Sequence, residues 1–119
     1  SPEIIAPRTN TEIDLNKVNR IPLRWKPVSG ANQYDITLKY RLAGSEVEIF
    51  RKSTTRTELD ITDFSRLKLG TLAFEVRAVI RRQNQIAATS RPSEAIFNLT
   101  MKNDLPAPVI INPGVIYVR

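Results

Sequence analysis

The chain contains no cysteine and no histidine. The first absence excludes disulfides, thiolate metal sites and thiol nucleophiles together, and leaves the redox compartment open. The second removes the commonest general base near neutral pH and the commonest metal ligand. What is left does not assemble a catalytic set. Glu58 and Asp60 place two carboxylates on one strand face with nothing to complete a site around them, Ser65 has no histidine to activate it, and no glycine-rich phosphate loop occurs. A non-catalytic protein without a cofactor is expected. No stretch approaches the roughly 18 apolar residues of a membrane-spanning helix, and no basic, apolar and small-residue leader opens the sequence.

What is present fits one soluble domain. The 119 residues are 41% hydrophobic and 25% charged, with apolar positions spread along the whole chain, so one core is expected and disorder is not. Eighteen Lys and Arg against twelve Asp and Glu give a net charge of +6, which draws anionic partners at long range and also keeps a small domain soluble.

Apolar residues recur with period two, the repeat of a strand whose successive side chains point to opposite faces. Ile21, Leu23 and Trp25 alternate with Pro22 and Arg24; Tyr34, Ile36, Leu38 and Tyr40 alternate with Asp35, Thr37, Lys39 and Arg41. Val47 and Ile49 oppose Glu46, Glu48 and Phe50. Leu59 and Ile61 follow, then Leu72, Phe74, Val76, Ala78 and Ile80 against Glu75, Arg77 and Arg81, and finally Ala95, Phe97, Leu99 and Met101. With an opening strand at "EIIAP" this makes seven short strands. The connections carry turn residues around Gly30, Gly44 and Gly70, at "RQNQ" (82–85) and at "SRPS" (90–93), and Thr62 to Leu69 has room for one helical turn capped by Thr62 or Asp63. Seven strands at such spacing predict two sheets facing each other across Trp25, Tyr34, Ile36, Leu38, Phe74, Val76 and Phe97.

"LRWKPVSGANQYDITL", Leu23 to Leu38, resembles the second and third strands of fibronectin type III domains: a strand Trp25, then Pro27, Val28, Gly30 and Ala31, with Tyr34 opening the next strand. "LKLGTLAFEVRAV" is similar to that family's sixth strand with its preceding corner, and "SRPSEAIF" to its approach to the last strand. The resemblance covers residues 3 to 101 and implies an all-β, seven-stranded immunoglobulin-like or fibronectin type III β-sandwich. The run from Gly70 to Ala78 is closer to bacterial versions of the family. Leu72 stands where the family usually has its corner tyrosine, so the corner is expected to be held by packing of Leu67, Leu69 and Leu72.

The chain also repeats itself. "PEIIAP", Pro2 to Pro7, returns as "PVIINP", Pro108 to Pro113, with four of six positions identical and a period slightly above about 100, the length of one such sandwich. The expected organisation is a β-sandwich over 1–101, a proline-stiffened linker over 102–108, and a segment 109–119 that either opens a following repeat or docks on this domain's sheet edge.

Candidate contact residues lie on one sheet face. In a type III sandwich the third and sixth strands are neighbours, which would bring Lys39 and Arg41 beside Arg77 and Arg81, with Arg82 at the strand's end; Asp35, Glu46, Glu48 and Glu75 would share that face and offset its charge. Phe50, read as facing away from Val47 and Ile49, is the candidate for an exposed aromatic contact. "FRKSTTR", Phe50 to Arg56, reads as a second basic stretch on a loop. The expected function is a spacer and interaction module of an exported multidomain protein, at a cell surface, outside the cell or in a periplasm, as the resemblance implies. The neighbouring domains of the same chain are its partners. A carbohydrate- or polyanion-binding module working through Lys39, Arg41, Arg77, Arg81, Arg82 and Phe50 is the alternative, with nucleic acid disfavoured as the polyanion. A protein–protein adaptor using a sheet edge or the "RQNQ" and "LAGSE" loops is a third reading.

Overall fold

The computed structural model describes residues 1–102; the second proline-bracketed phrase and nearly all of the linker expected before it lie outside the described residues. The fold is all-β, two sheets packed as a sandwich. One layer has three strands in the order β1 (Ile4–Ala6), β3 (Ile21–Trp25), β6 (Glu58–Ile61). The other runs β2 (Glu12–Asp14), β9 (Ser93–Thr100), β7 (Gly70–Arg82), β4 (Gln33–Leu42), β5 (Ser45–Thr54), with β8 (Gln85–Thr89) also on β7.

The period-two pattern is what holds the layers together. Along β4, Tyr34, Ile36, Leu38 and Tyr40 are buried, and opposite them in the antiparallel ladder stand Ala78, Val76, Phe74 and Leu72 of β7, also buried. Ile21, Leu23 and Trp25 face them from β3. Trp25 ties the sheets: its ring lies 5.7 Å from that of Tyr34 and 6.1 Å from that of Phe74, inclined at 58° and 53°, within the centroid range of favourable aromatic pairs. All seven residues expected in the core are buried.

Two strands escaped the sequence reading. β2 is three residues long and pairs in parallel with β9, Ile13 opposite Leu99. β8 follows directly from the "RQNQ" turn, where Gln83 and Asn84 have φ of 52° and 65°, the left-handed pair that a tight hairpin requires. Every residue of β8 is exposed, so no alternation marks it. β7 is long enough for two neighbours on one edge: β9 borders its first half, Gly70 to Val76, and β8 its second, Val79 to Arg82. Between them the chain crosses Pro92, which has no N–H to give a ladder. Ser90 fills the gap, its N–H donating to the Ala78 carbonyl at 2.8 Å and its Oγ accepting the Ala78 N–H at 2.9 Å.

The corner before β7 is built differently from the expectation. Leu72 is fully buried and Leu67 packs on the core, but Leu69 is exposed. A hydroxyl hydrogen bond holds this corner after all, delivered from the neighbouring strand: Tyr40 donates to the Leu69 carbonyl at 2.7 Å. Thr62 to Leu69 forms no helical turn. Asp63 Oδ1 accepts the Ser65 N–H at 2.9 Å and the Leu67 N–H reaches the Phe64 carbonyl at 3.0 Å, so the aspartate closes a local turn.

Candidate functional site

The outward face of the larger sheet carries the charged residues that the sequence brought into question. Register fixes them: Asp35, Thr37, Lys39 and Arg41 of β4 lie between Ser53, Arg51, Glu48 and Glu46 of β5 on one side and, for the first three, Arg77, Glu75 and Ala73 of β7 on the other. The face alternates in sign. Lys39 Nζ meets Glu75 Oε2 at 3.0 Å and Glu46 Oε1 at 3.6 Å; Arg41 meets Glu46 Oε2 at 2.8 Å and Glu94 Oε1 at 3.5 Å; Arg51 meets Glu48 at 2.9 Å. The Glu75 hydrogen bond raises the Lys39 pKa above the lysine range, and the Glu46 hydrogen bond raises that of Arg41. Reciprocally, the hydrogen bond from Arg41, with Lys39 behind it, holds the Glu46 carboxyl below its ordinary value.

Along the same strands toward the β7–β8 hairpin, the remaining candidate cations have no carboxylate partner among the described residues. Arg77 stands opposite Asp35 in the ladder yet makes no ion pair with any described residue. Arg81 turns back onto its own hairpin, donating to the Asn84 carbonyl at 3.1 Å and to Gln33 Oε1 at 3.5 Å, while Asn32 Oδ1 accepts its backbone N–H at 2.9 Å. Arg82 is exposed at the hairpin tip. Asp35 is itself engaged, accepting from Ser53 Oγ at 2.8 Å and Gln33 Nε2 at 2.9 Å. Thr37 is flanked by Arg51 and Glu75, and a concavity of about 200 Å³ is lined by Asp35, Thr37, Lys39, Arg51, Glu75 and Arg77. The five candidate cations therefore divide into a neutralised pair, Lys39 and Arg41, and three arginines without counter-ions among the described residues.

Phe50 is not an exposed aromatic platform. Leu38 pairs with Phe50 but Lys39 with Glu48, so Ile49 is an extra residue in β5, a β-bulge. The bulge breaks the alternation: Ile49 turns into the core, Phe50 packs half-buried on its margin with the Lys52 ammonium 5.0 Å above its ring, and Val47 is left exposed. Phe50 lines a small cavity of about 140 Å³ between β5 and the loop after β6, shared with Leu59, Asp63, Arg66 and Leu67. The "FRKSTTR" stretch is not a loop either, because Phe50 to Thr54 belong to β5. The same bulge brings Arg51 opposite Thr37 and onto the charged face, where a regular hairpin register sets it opposite Ile36 on the inward side. Of the two carboxylates on β6, Asp60 is held by Arg24 at 2.8 Å and Arg20 at 3.4 Å. Among the described residues no cluster of three or more acidic side chains is placed to hold a metal ion. No protein-family model matches this chain, and neither does any curated protein.

The network fixes a pH dependence. A carboxyl whose folded-state pKa is lowered contributes stability above its unfolded value, and that contribution is lost as pH falls through the folded one. Glu46 is such a group, as is Asp63, whose pKa is lowered by hydrogen bonds from Ser65 and then by Arg66 and Lys52. Thermal midpoints should therefore fall as pH is taken from about 5 to about 3, and Glu46→Gln/Asp63→Asn should flatten that slope. An unchanged slope in the double variant would remove these two carboxyls from the account.

Proposed function

We propose that the chain is a fibronectin type III-like module of an exported multidomain protein, non-catalytic, acting as a spacer and an interaction surface between its neighbours. The observation that carries this reading is the pairing of β4 with β7, the third and sixth of the seven strands expected from sequence, closed over Trp25 between Tyr34 and Phe74. The repeated phrase supports a tandem arrangement. In the opening copy Pro2 and Pro7 are buried and Ile4 packs on the core, while Glu3 is exposed in an ion pair with Lys26. The second copy keeps both prolines and both isoleucines and puts Val109 in place of the exposed glutamate and Asn112 in place of the half-buried Ala6. Extending the chain by the residues that follow it in its parent gene should produce a second cooperative unfolding unit that includes 108–118; a single unit with that segment unprotected overturns the tandem part of the reading.

The polyanion-binding alternative is favoured by one fact, that Arg77 and Arg82 have no acidic partner among the described residues. Immobilised heparin separates the two. A spacer gives equal drops in elution salt for Arg77→Glu/Arg81→Glu and for a control of equal charge change, Arg8→Glu/Arg56→Glu, because only net charge matters. A binding face gives a markedly larger drop for the first variant.

A further inference from the structure

Seven large apolar side chains are exposed among the described residues, and five of them fall at one end of the larger sheet. They follow its strand order. Val18 comes after β2, Met101 after β9, Leu69 before β7, Leu42 closes β4, and Val47 sits on β5 opposite Tyr40. Their exposures run from 37% at Val18 to 56% at Met101. Apolar residues scattered singly over a surface call for no explanation, but five at the same end of five consecutive strands, in or just beyond them, offer a contact surface.

The chain leaves the sandwich at this same end, and it is clasped there. Leu15 donates its N–H to the Thr100 carbonyl at 2.8 Å, Lys102 donates its N–H to Asp14 Oδ1 at 3.2 Å, Asn16 Nδ2 donates to the Lys102 carbonyl at 2.7 Å, and the Lys102 ammonium pairs with Glu12. The outgoing backbone is thus fixed against β2 up to the first residue beyond the apolar row. What comes next is apolar: Leu105, Val109, Ile110, Ile111, Val115, Ile116, Tyr117 and Val118, with Asp104 and Arg119 the charged residues of the stretch. Five strands about 4.8 Å apart span roughly 20 Å, a distance about six extended residues cover.

We propose that this row seats the segment that follows Lys102, Leu105 to Val118, making the end of the sandwich a joint surface. The inference deepens the modular reading, on which the segment opens the next unit and the row holds the two at a set angle, but its test needs only the 119-residue chain.

Thermolysin cleavage before Ile110, Ile111 and Ile116, followed by mass spectrometry under native conditions, reads the seating directly. The expected result is slow cleavage in the parent and at least about tenfold faster cleavage in Leu42→Ser/Leu69→Ser, because opening of a docked segment controls its proteolysis. Should that variant lose its fold, Ile110→Ser/Ile116→Ser leaves the sandwich sequence intact, and the methyl NMR signals of Leu42 and Leu69 should then shift relative to the parent. Equal cleavage in parent and variant, or methyl signals that ignore the tail substitutions, overturns the proposal. Release by Ile86→Ser at the opposite end of the sheet does so too, since it assigns the segment to the β8 edge. The two-unit unfolding experiment can succeed while this one fails, so the modular reading and the joint are judged separately.

Discussion

Trp25→Ala is expected to cost about 3–5 kcal/mol, the range for deleting a large buried aromatic, and so to consume a large part of the roughly 5–15 kcal/mol that holds a domain of this size. The indole is 1% exposed and touches the rings of Tyr34 and Phe74, one from each of two strands in the opposite sheet. Its removal opens a cavity between layers that the flanking strands cannot close without losing register. Trp25 also carries a buried Nε1 without a hydrogen-bond partner among the described residues. That orphaned donor is a cost of about 1–3 kcal/mol already present in the parent. Trp25→Phe keeps an aromatic ring between the sheets and removes the donor, so it should lie within about 2 kcal/mol of the parent. Urea unfolding followed by far-ultraviolet circular dichroism, which does not depend on the indole, measures both. An alanine variant within about 1 kcal/mol of the parent would mean that Trp25 does not bridge the layers.

The parts of this fold that were legible in the sequence are those with one wet and one dry face. β4 reads inward and outward without a fault because Tyr34, Ile36, Leu38 and Tyr40 are all buried and the residues between them are polar. β8 could not be read, since a strand exposed on both faces has no periodic signal; only the "RQNQ" turn in front of it announced a hairpin. β5 was misread for a different reason. A bulge adds one residue and inverts every assignment beyond it, and nothing local in "EVEIFRK" marks Ile49 as the extra residue. The Phe50 expectation failed at that point. On the charged face, the pairing of Lys39 with Glu75 and Glu46 joins diagonal neighbours, two residues along from its ladder partners Ala73 and Glu48, which period two places on the same face. The reach of Arg41 to Glu94 crosses β7 to β9 and needed the three-dimensional sheet order.

The corner before β7 offers the second large effect. Gly70 has φ of +127°, outside the left-handed region that asparagine or aspartate tolerates, and a side chain there is strained by about 1–3 kcal/mol. A Cβ would meet only the Tyr40 side chain, Cε1 at an ordinary 3.7 Å and the hydroxyl oxygen at 4.0 Å, so the cost lies in the backbone rather than in a clash. Gly44 is the control: at φ of +77° with open space around it, Gly44→Asn should cost a few tenths of a kcal/mol. Gly70→Ala should therefore lower the urea midpoint several times further than Gly44→Asn. The residue before Gly70 is the one whose carbonyl accepts the Tyr40 hydroxyl, so relaxing the strain at Gly70 rotates that acceptor away. Tyr40→Phe alone should cost about 1 kcal/mol. Because the two sites share this one hydrogen bond, the double variant should lose less than the sum of the two singles. Strict additivity would show that the strained glycine and the tyrosine hydroxyl hold the corner independently.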